Sequence, residues 1–167
     1  MPTTVTVETT SGSFQIELDD ARAPGTVANF LAYVDADHYS GTIFHRIIPG
    51  FMAQGGGYSA TFDKKRVNAG IKNEADNGVK NHRGTVAMAR TGDPHSATAQ
   101  FFVNLSDNAF LDHTAPAGTG WGYAVFGKVT SGMESVDAMV GIPTGARGPF
   151  RKDCPTTTVE IVSIKRS

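Results

Sequence analysis

Phe44-His45-Arg46-Ile47-Ile48-Pro49-Gly50-Phe51-Met52-Ala53-Gln54-Gly55-Gly56-Gly57 joins an apolar strand, a Pro-Gly turn, a second short strand and three consecutive glycines. The period-two rule for strands puts Phe44, Arg46 and Ile48 on one face, with His45 and Ile47 on the other. Arg46 then stands in line with bulky apolar residues, where a guanidinium is costly unless it has partners. Gln54 lies across the turn and is placed to hold it. For an isolated FHR tripeptide the plainer reading is a salt-bridged arginine on a barrel wall. The surroundings have to decide.

Working outward, Val5–Thr9 and Phe14–Leu18 alternate apolar and polar residues around Thr10-Ser11-Gly12-Ser13, the pattern of two half-buried strands and a turn. Pro24 precedes Val27, Phe30, Leu31 and Val34, whose spacing predicts an amphipathic helix with proline at its first position. Further strands are expected at Thr42–Ile48, Phe51–Gln54, Thr85–Ala89, Phe101–Leu105, Ala124–Val129 and Thr158–Ile164. Ser131 and Glu134 have capping-box spacing, and Met133, Val136, Asp137 and Val140 follow in helical phase, so a second helix is expected from Ser131. The stretch from Gly55 to Gly84, rich in Gly, Asn and Lys, reads as a long surface excursion of the kind that often carries function. Many short strands with two separated helices suggest an antiparallel sheet whose edges are protected by closure into a barrel, the helices covering its ends.

The 167 residues, 40% hydrophobic and 19% charged, suit one folded domain spanning 1–167, and no repeat, linker or composition break divides it. Nineteen glycines imply many turns. Fifteen basic against sixteen acidic residues give little sign of a basic face, Lys64-Lys65-Arg66 being the longest like-charged run. Nucleic acid and anionic membrane are therefore not expected partners. The first twenty residues hold no basic residue and no continuous apolar stretch, so a cytoplasmic location is expected, or a periplasmic one if a signal has been removed. The single cysteine, Cys154, has no internal disulfide partner, and an inert thiol is its expected state.

Two more segments bear on chemistry. One is Met88-Ala89-Arg90 with Ser96-Ala97-Thr98-Ala99-Gln100-Phe101-Phe102-Val103-Asn104; the other is Asn108-Ala109-Phe110-Leu111-Asp112 with Trp121-Gly122-Tyr123-Ala124-Val125-Phe126-Gly127. Taken singly, Phe102, Phe110 and Phe126 read as core residues. Together, FHRIIPGFMAQGG, SATAQFF and FLD…VFGKV stand in the order and spacing of the cyclophilins, and the chain resembles that family from about Val5 to Ile164. Ile71–Ala75, Met88–Thr91 and Gly120–Tyr123 resemble its bacterial single-domain branch.

That resemblance implies a closed eight-stranded antiparallel β-barrel capped by two α-helices, with a groove on the barrel's outer surface. It implies peptidyl-prolyl cis-trans isomerase activity on proline-containing polypeptides, with no cofactor and no metal, by a monomer. The catalytic residues would be Arg46, Phe51 and Gln54. Substrate contacts would come from Met52, Ala89, Arg90, Gln100, Phe102, Phe110, Leu111 and Tyr123. Phe51, Met52, Phe102 and Leu111 would hold the proline ring, Ala89 and Arg90 would offer backbone groups to the peptide before it, and Gln54 would orient Arg46. Phe110 stands where many relatives carry tryptophan, Tyr123 where they carry histidine and Arg90 where they carry asparagine. The stretch His113–Gly120 lengthens the loop after Asp112. Reduced cyclosporin affinity is expected.

Other chemistries find less support. His38, His45, His82, His95 and His113 are scattered, without HExxH or paired cysteines. Asp93, His95 and Ser96 are the residue types of a hydrolase triad, but no GxSxG elbow accompanies them. Gly55-Gly56-Gly57 lacks the Lys-Ser/Thr of a phosphate-binding loop. The serious rival is a non-catalytic module that uses the same barrel to bind proline peptides or act as a chaperone.

Overall fold

In the first hairpin, Val5 and Val7 of β1 (Thr4–Thr9) and Phe14, Ile16 and Leu18 of β2 (Gly12–Leu18) are all buried, as alternation requires. The computed structural model describes residues 3–167, and Met1 and Pro2 lie outside the described residues. Six further strands complete the sheet: β3 (Arg46–Ile48), β4 (Met52–Gly55), β5 (Thr85–Met88), β6 (Phe101–Asn104), β7 (Val125–Ser131) and β10 (Ile161–Arg166). Their order is β10-β1-β2-β7-β5-β6-β4-β3, with every neighbouring pair antiparallel.

The expected closed barrel is a curled, open half-barrel instead: β3 and β10 are its two edges and do not pair. Thr42–Phe44, expected as strand, is irregular, so β3 has only three residues to offer a partner. The edges are covered by the segments that precede them. Phe44 N–H donates to the Val159 carbonyl at 3.0 Å, and Ile161 N–H to that of Thr42 at 2.7 Å.

Helix α1 (Pro24–Asp35) starts at its proline and buries Val27, Phe30, Leu31 and Val34, the stripe the spacing predicts. The Phe30 ring sits 5.0 Å from Phe126, 5.3 Å from Tyr39 and 5.7 Å from Phe101, an aromatic centre for the interior core. Helix α2 (Met133–Val140) exists where expected, burying Val136 and Met139, but the capping box does not form. Ser131 ends β7, and Gly132 at φ +81° turns the chain directly from strand into helix. A Cβ at Gly132 would lie 2.4 Å from the Ser13 carbonyl oxygen, so glycine alone fits the junction.

The hairpin of β8 (Thr144–Arg147) and β9 (Phe150–Pro155) has no sequence signal, because its strands mix Gly and charges without alternation. It is fastened to β3 by aromatic stacking. The Phe150 ring lies 4.9 Å from His45 at 30°, and Tyr58 meets both rings edge-on at 4.9 Å. His45 is buried with its Nδ1 unpartnered. Burial, and then the neighbouring Arg46 charge, push its pKa down to about 4.

The unfolded chain binds a proton at His45 near pH 6.5 and the folded chain only near 4, so this residue's contribution is full above pH 6.5 and is lost on acidification. A loss of about 3 kcal/mol is expected between pH 6.5 and 4 from a shift of this size. His45→Phe should remove that part of the dependence. Urea unfolding at pH 7 and 4.5 measures it, and identical pH dependence in both proteins would contradict a buried neutral His45.

Candidate active site

Cross-strand pairing puts Arg46 of β3 opposite Gln54 of β4, Gln54 opposite Phe102 of β6, Phe102 opposite Ala87 of β5, and Ala87 opposite Val125 of β7. Directly paired residues share a face, so these five form one row across the outside of the sheet. Beside the row, Met52, Ala87, Phe102, Leu111 and Val125 make a buried apolar cluster separate from the interior core, bordered by Ile48, Phe51, Val79, Ala89 and Tyr123. Arg46 is exposed and stands two strands from Phe102, about 10 Å by ordinary strand spacing. Among the described residues its guanidinium has no hydrogen bond or ion pair. The face assignment needs one correction: Phe44 packs inside with Ile47, not beside Arg46, because the strand begins at Arg46 and alternation does not carry back through His45.

Gln54 lies next to Arg46 but does not hold it. Its amide donates to Gln100 Oε1 at 2.9 Å. That pair borders a recess of about 120 Å3, with Gly57, Lys65, Ala89 and Arg90 around it. A Cβ at Gly57 would lie 2.5 Å from the Gln100 side chain, so the third glycine is what lets Gln100 lie there. Ala89 N–H is already given to the Gln100 carbonyl at 3.0 Å, which leaves the Ala89 carbonyl and the Arg90 N–H without backbone partners among the described residues.

The other expected residues are aromatic walls and their braces. Phe51 and Phe110 pack at 5.5 Å, with Phe110 73% exposed and able to cover a ligand. Tyr123 meets Phe102 edge-on at 5.7 Å. The Arg90 guanidinium lies 4.7 Å above the Tyr123 ring while its Nε donates to the Gly122 carbonyl at 3.0 Å, so it braces the wall and is not free. A cleft of about 730 Å3, larger than the recess, lies elsewhere: Glu17, Asp19, Arg22, Lys80 and Lys128 rim it, and it shares only Val79 and Val125 with the apolar cluster.

The rival chemistries find no geometry. Among the described residues no three His, Cys, Asp or Glu side chains gather as a metal set. Ser96 donates to the Asp93 carbonyl at 2.6 Å and not to His95, whose Nδ1 accepts from Asn73 N–H at 3.0 Å. Cys154 is buried, and burial raises its pKa, as an inert thiol requires.

A buried asparagine network escaped the sequence reading. Asn104 Nδ2 donates to Asn81 Oδ1 at 3.0 Å and Thr85 Oγ1 at 2.9 Å; Asn108 Nδ2 donates to Asn104 Oδ1 and the Phe51 carbonyl, both at 2.9 Å. Asn81 Nδ2 reaches the Leu111 and Tyr123 carbonyls at 3.3 Å. Three walls of the groove thus hang from three side-chain amides. The only hint in the sequence was the presence of Asn104 and Asn108 at the ends of motifs.

The family model for cyclophilin type peptidyl-prolyl cis-trans isomerase/CLD matches residues 4–166. A peptidyl-prolyl cis-trans isomerase of Streptomyces antibioticus is 57% identical over 163 residues, covering 97% of each chain. Peptidyl-prolyl cis-trans isomerase B of Escherichia coli is 50% identical over 160 residues, covering 96% of this chain and 97% of its own. A solved cyclophilin type peptidyl-prolyl cis-trans isomerase of Cryptosporidium parvum superposes with TM-score 0.80 at 26% identity, covering 100% of this chain and 98% of that one. The same protein solved in the presence of the dipeptide Ala-Pro gives 0.79, covering 98% of each.

The asparagine network makes the groove's walls depend on one another. Asn104→Ala strands buried partners on both sides, and a loss of about 1–3 kcal/mol is expected in urea unfolding. A change below about 0.5 kcal/mol, the size of an ordinary surface substitution, would show that the network carries no such weight.

Proposed function

This chain belongs to the cyclophilin-type peptidyl-prolyl cis-trans isomerases, and on that premise we propose that the outer-face groove is its catalytic site, with Arg46 acting on the twisting amide. It is an isomerase that rotates Xaa-Pro bonds. The reaction breaks no bond, so it needs no nucleophile, metal or nucleotide. The obstacle is the amide's double-bond character, a barrier of about 18–20 kcal/mol, and the enzyme has to favour the twisted amide over both planar forms.

As the bond twists, the prolyl nitrogen becomes pyramidal and regains its lone pair. A donor aimed at that nitrogen stabilises the twisted state selectively, as an oxyanion hole stabilises developing charge. Arg46 suits the role: it is always protonated and presents a fixed fork of N–H donors. The observation that carries the proposal is that this exposed guanidinium has no internal partner among the described residues and shares an outer-face row with Phe102. The proline ring sits on Met52, Phe102 and Leu111 with Phe51 at its edge. The Ala89 carbonyl and Arg90 N–H pair with the peptide before the proline. Gln54 and Gln100 fix each other and line the approach to Arg46. A lowering of about 7 kcal/mol would supply about five decades of rate.

The partners are proline-containing polypeptides, a class consistent with the Ala-Pro dipeptide present with the solved relative. We also propose a monomer. Of the large exposed apolar side chains among the described residues, Phe110 and Val67 border the groove and its recess, which leaves Val162 elsewhere.

Arg46→Ala should lower kcat/KM for a short Xaa-Pro peptide by about 100-fold or more, the usual cost of a lost transition-state donor, with stability unchanged. Arg46→Lys should restore only part of it. Exchange spectroscopy on the peptide reads both, and near-full activity in the alanine variant would remove Arg46 from the mechanism. If the wild-type protein bound the peptide without accelerating exchange, the binding-module reading would replace catalysis.

Phe110 lacks the indole N–H that a tryptophan would offer a cyclosporin carbonyl. Phe110→Trp should therefore raise cyclosporin affinity about tenfold, the worth of one added hydrogen bond. Titration calorimetry tests this. Wild-type affinity equal to that of tryptophan-bearing relatives would overturn it.

A further inference from the structure

The near-zero net charge of the chain conceals a strong segregation. The segments 46–66 and 147–153 carry Arg46, Lys64, Lys65, Arg66, Arg147, Arg151 and Lys152 against only Asp63 and Asp153, an excess of five positive charges. The remainder of a chain whose net charge is −1 therefore carries an excess of six negative charges. The sequence, with its one short basic run, gave little sign of such a face; the fold assembles it. The β8–β9 hairpin lies against β3 through the stacked rings of Phe150 and His45. The Phe62 ring joins the 58–66 loop to the same hairpin, 6.1 Å from Phe150 and with the Arg147 guanidinium 5.1 Å from its centre. His45, beneath this surface, stays neutral above pH of about 4 and adds no charge.

None of these seven cations is neutralised by an ion pair among the described residues. The five ion pairs engage Arg22, His82, Arg83, Lys128 and Arg166 instead. Lys65 Nζ donates to the His38 carbonyl, and Arg147 Nη1 to Pro155 O at 2.9 Å and Thr158 Oγ1 at 3.1 Å; none of these partners is a carboxylate. Lys64, Arg66, Arg151 and Lys152 are exposed, and their side chains have no hydrogen-bond partner among the described residues. The patch also adjoins the groove. Arg46 belongs to both, and Lys64 and Lys65 line the recess with Gln54, Ala89, Arg90 and Gln100, where the peptide before the proline is expected to run.

We propose that this surface selects polypeptide clients with aspartate or glutamate shortly before the isomerised proline. The proposal rests on the groove being the substrate site and adds a charge preference to it. Carboxylates close to the Xaa-Pro bond would be drawn to the cationic rim by a field several charges strong, which raises encounter rates and fades with salt. A client with lysine at the same positions would be repelled. Continuity with a groove that holds an extended peptide favours a polypeptide over nucleic acid, because the aromatics of this face, Tyr58, Phe62 and Phe150, are already packed on one another, on His45 or under Arg147.

The experiment compares three peptides that differ only in carrying Glu, Ala or Lys two and three residues before proline, at 20 mM and 500 mM salt. The expected result is that kcat/KM for the Glu peptide exceeds that for the Lys peptide about tenfold at low salt and converges with it at high salt. Two variants, Lys64→Glu/Arg66→Glu and Arg151→Glu/Lys152→Glu, should each shrink or invert that ratio, and the second, whose residues lie outside the recess, should leave the Ala peptide unchanged. Equal rates for the Glu and Lys peptides, or a preference that both variants preserve, would overturn the proposal. So would tight binding of single-stranded DNA lost in these variants, if the Glu peptide is not preferred. A wild-type protein inactive on the Ala peptide would sink the isomerase reading by itself. Amide shifts on titration with the Glu and Lys peptides would then still decide the charge preference.

Discussion

The groove exists because three strands are apolar on both faces. In β4, β5 and β6 nearly every residue is buried: Ala53, Val86, Met88, Phe101 and Val103 face the interior, while Met52, Ala87 and Phe102 face outward. An antiparallel sheet ordinarily leaves one face to water. Here the outer face keeps an apolar floor that is itself nearly buried, and the apolar surface left accessible is its border, half-exposed Ile48, Phe51 and Tyr123 with exposed Phe110. The sheet's curl brings the edge strand β3, and with it Arg46, to the border of this floor.

An apolar floor on the outer face of a sheet is a liability unless its walls are held. The protein holds them with polar atoms, not with more apolar packing. Asn81, Asn104 and Asn108 are buried; Asn81 and Asn108 donate to the main-chain carbonyls of wall residues, and Asn104 links the two through its side chain. A satisfied buried network is directional in a way that hydrophobic contact is not, so it sets positions as well as supplying stability. Asn73 extends the scheme: its Nδ2 donates to the Gly122 carbonyl at 3.0 Å, the same carbonyl that receives Arg90. The wall bearing Tyr123 is thereby gripped from two sides.

The electrostatics follow from the same architecture. The β8–β9 hairpin covers the outer end of β3 through aromatic contacts around His45, a histidine kept neutral by burial. Placing an uncharged imidazole there spares Arg46 a second cation in contact with it. The hairpin also brings its own arginines and lysine alongside the 58–66 loop. The positive charge near the groove is thus a consequence of how the sheet edge is protected, and it leaves Arg46 without an internal carboxylate that would compete for its donors.

The sequence by itself determined most of the local elements and the family resemblance from which candidate site residues are named. Period-two and period-3.6 patterns located β1, β2 and α1 closely, because each buries one face against a single core. The ordered motifs named the groove residues, and Arg46, Phe102, Leu111 and Tyr123 do come to one face. Only the tertiary structure decided the rest. It left the barrel unclosed, because edge pairing depends on how two irregular segments meet. Gly132, and not a Ser131 cap, starts α2, because the neighbouring Ser13 backbone admits no Cβ. Gln54 went to Gln100 and Arg90 to Tyr123, and the β8–β9 hairpin came to lie against the 58–66 loop through Phe62. These outcomes join residues as far apart as His45 and Phe150, and no periodicity within a segment encodes which distant side chain will arrive.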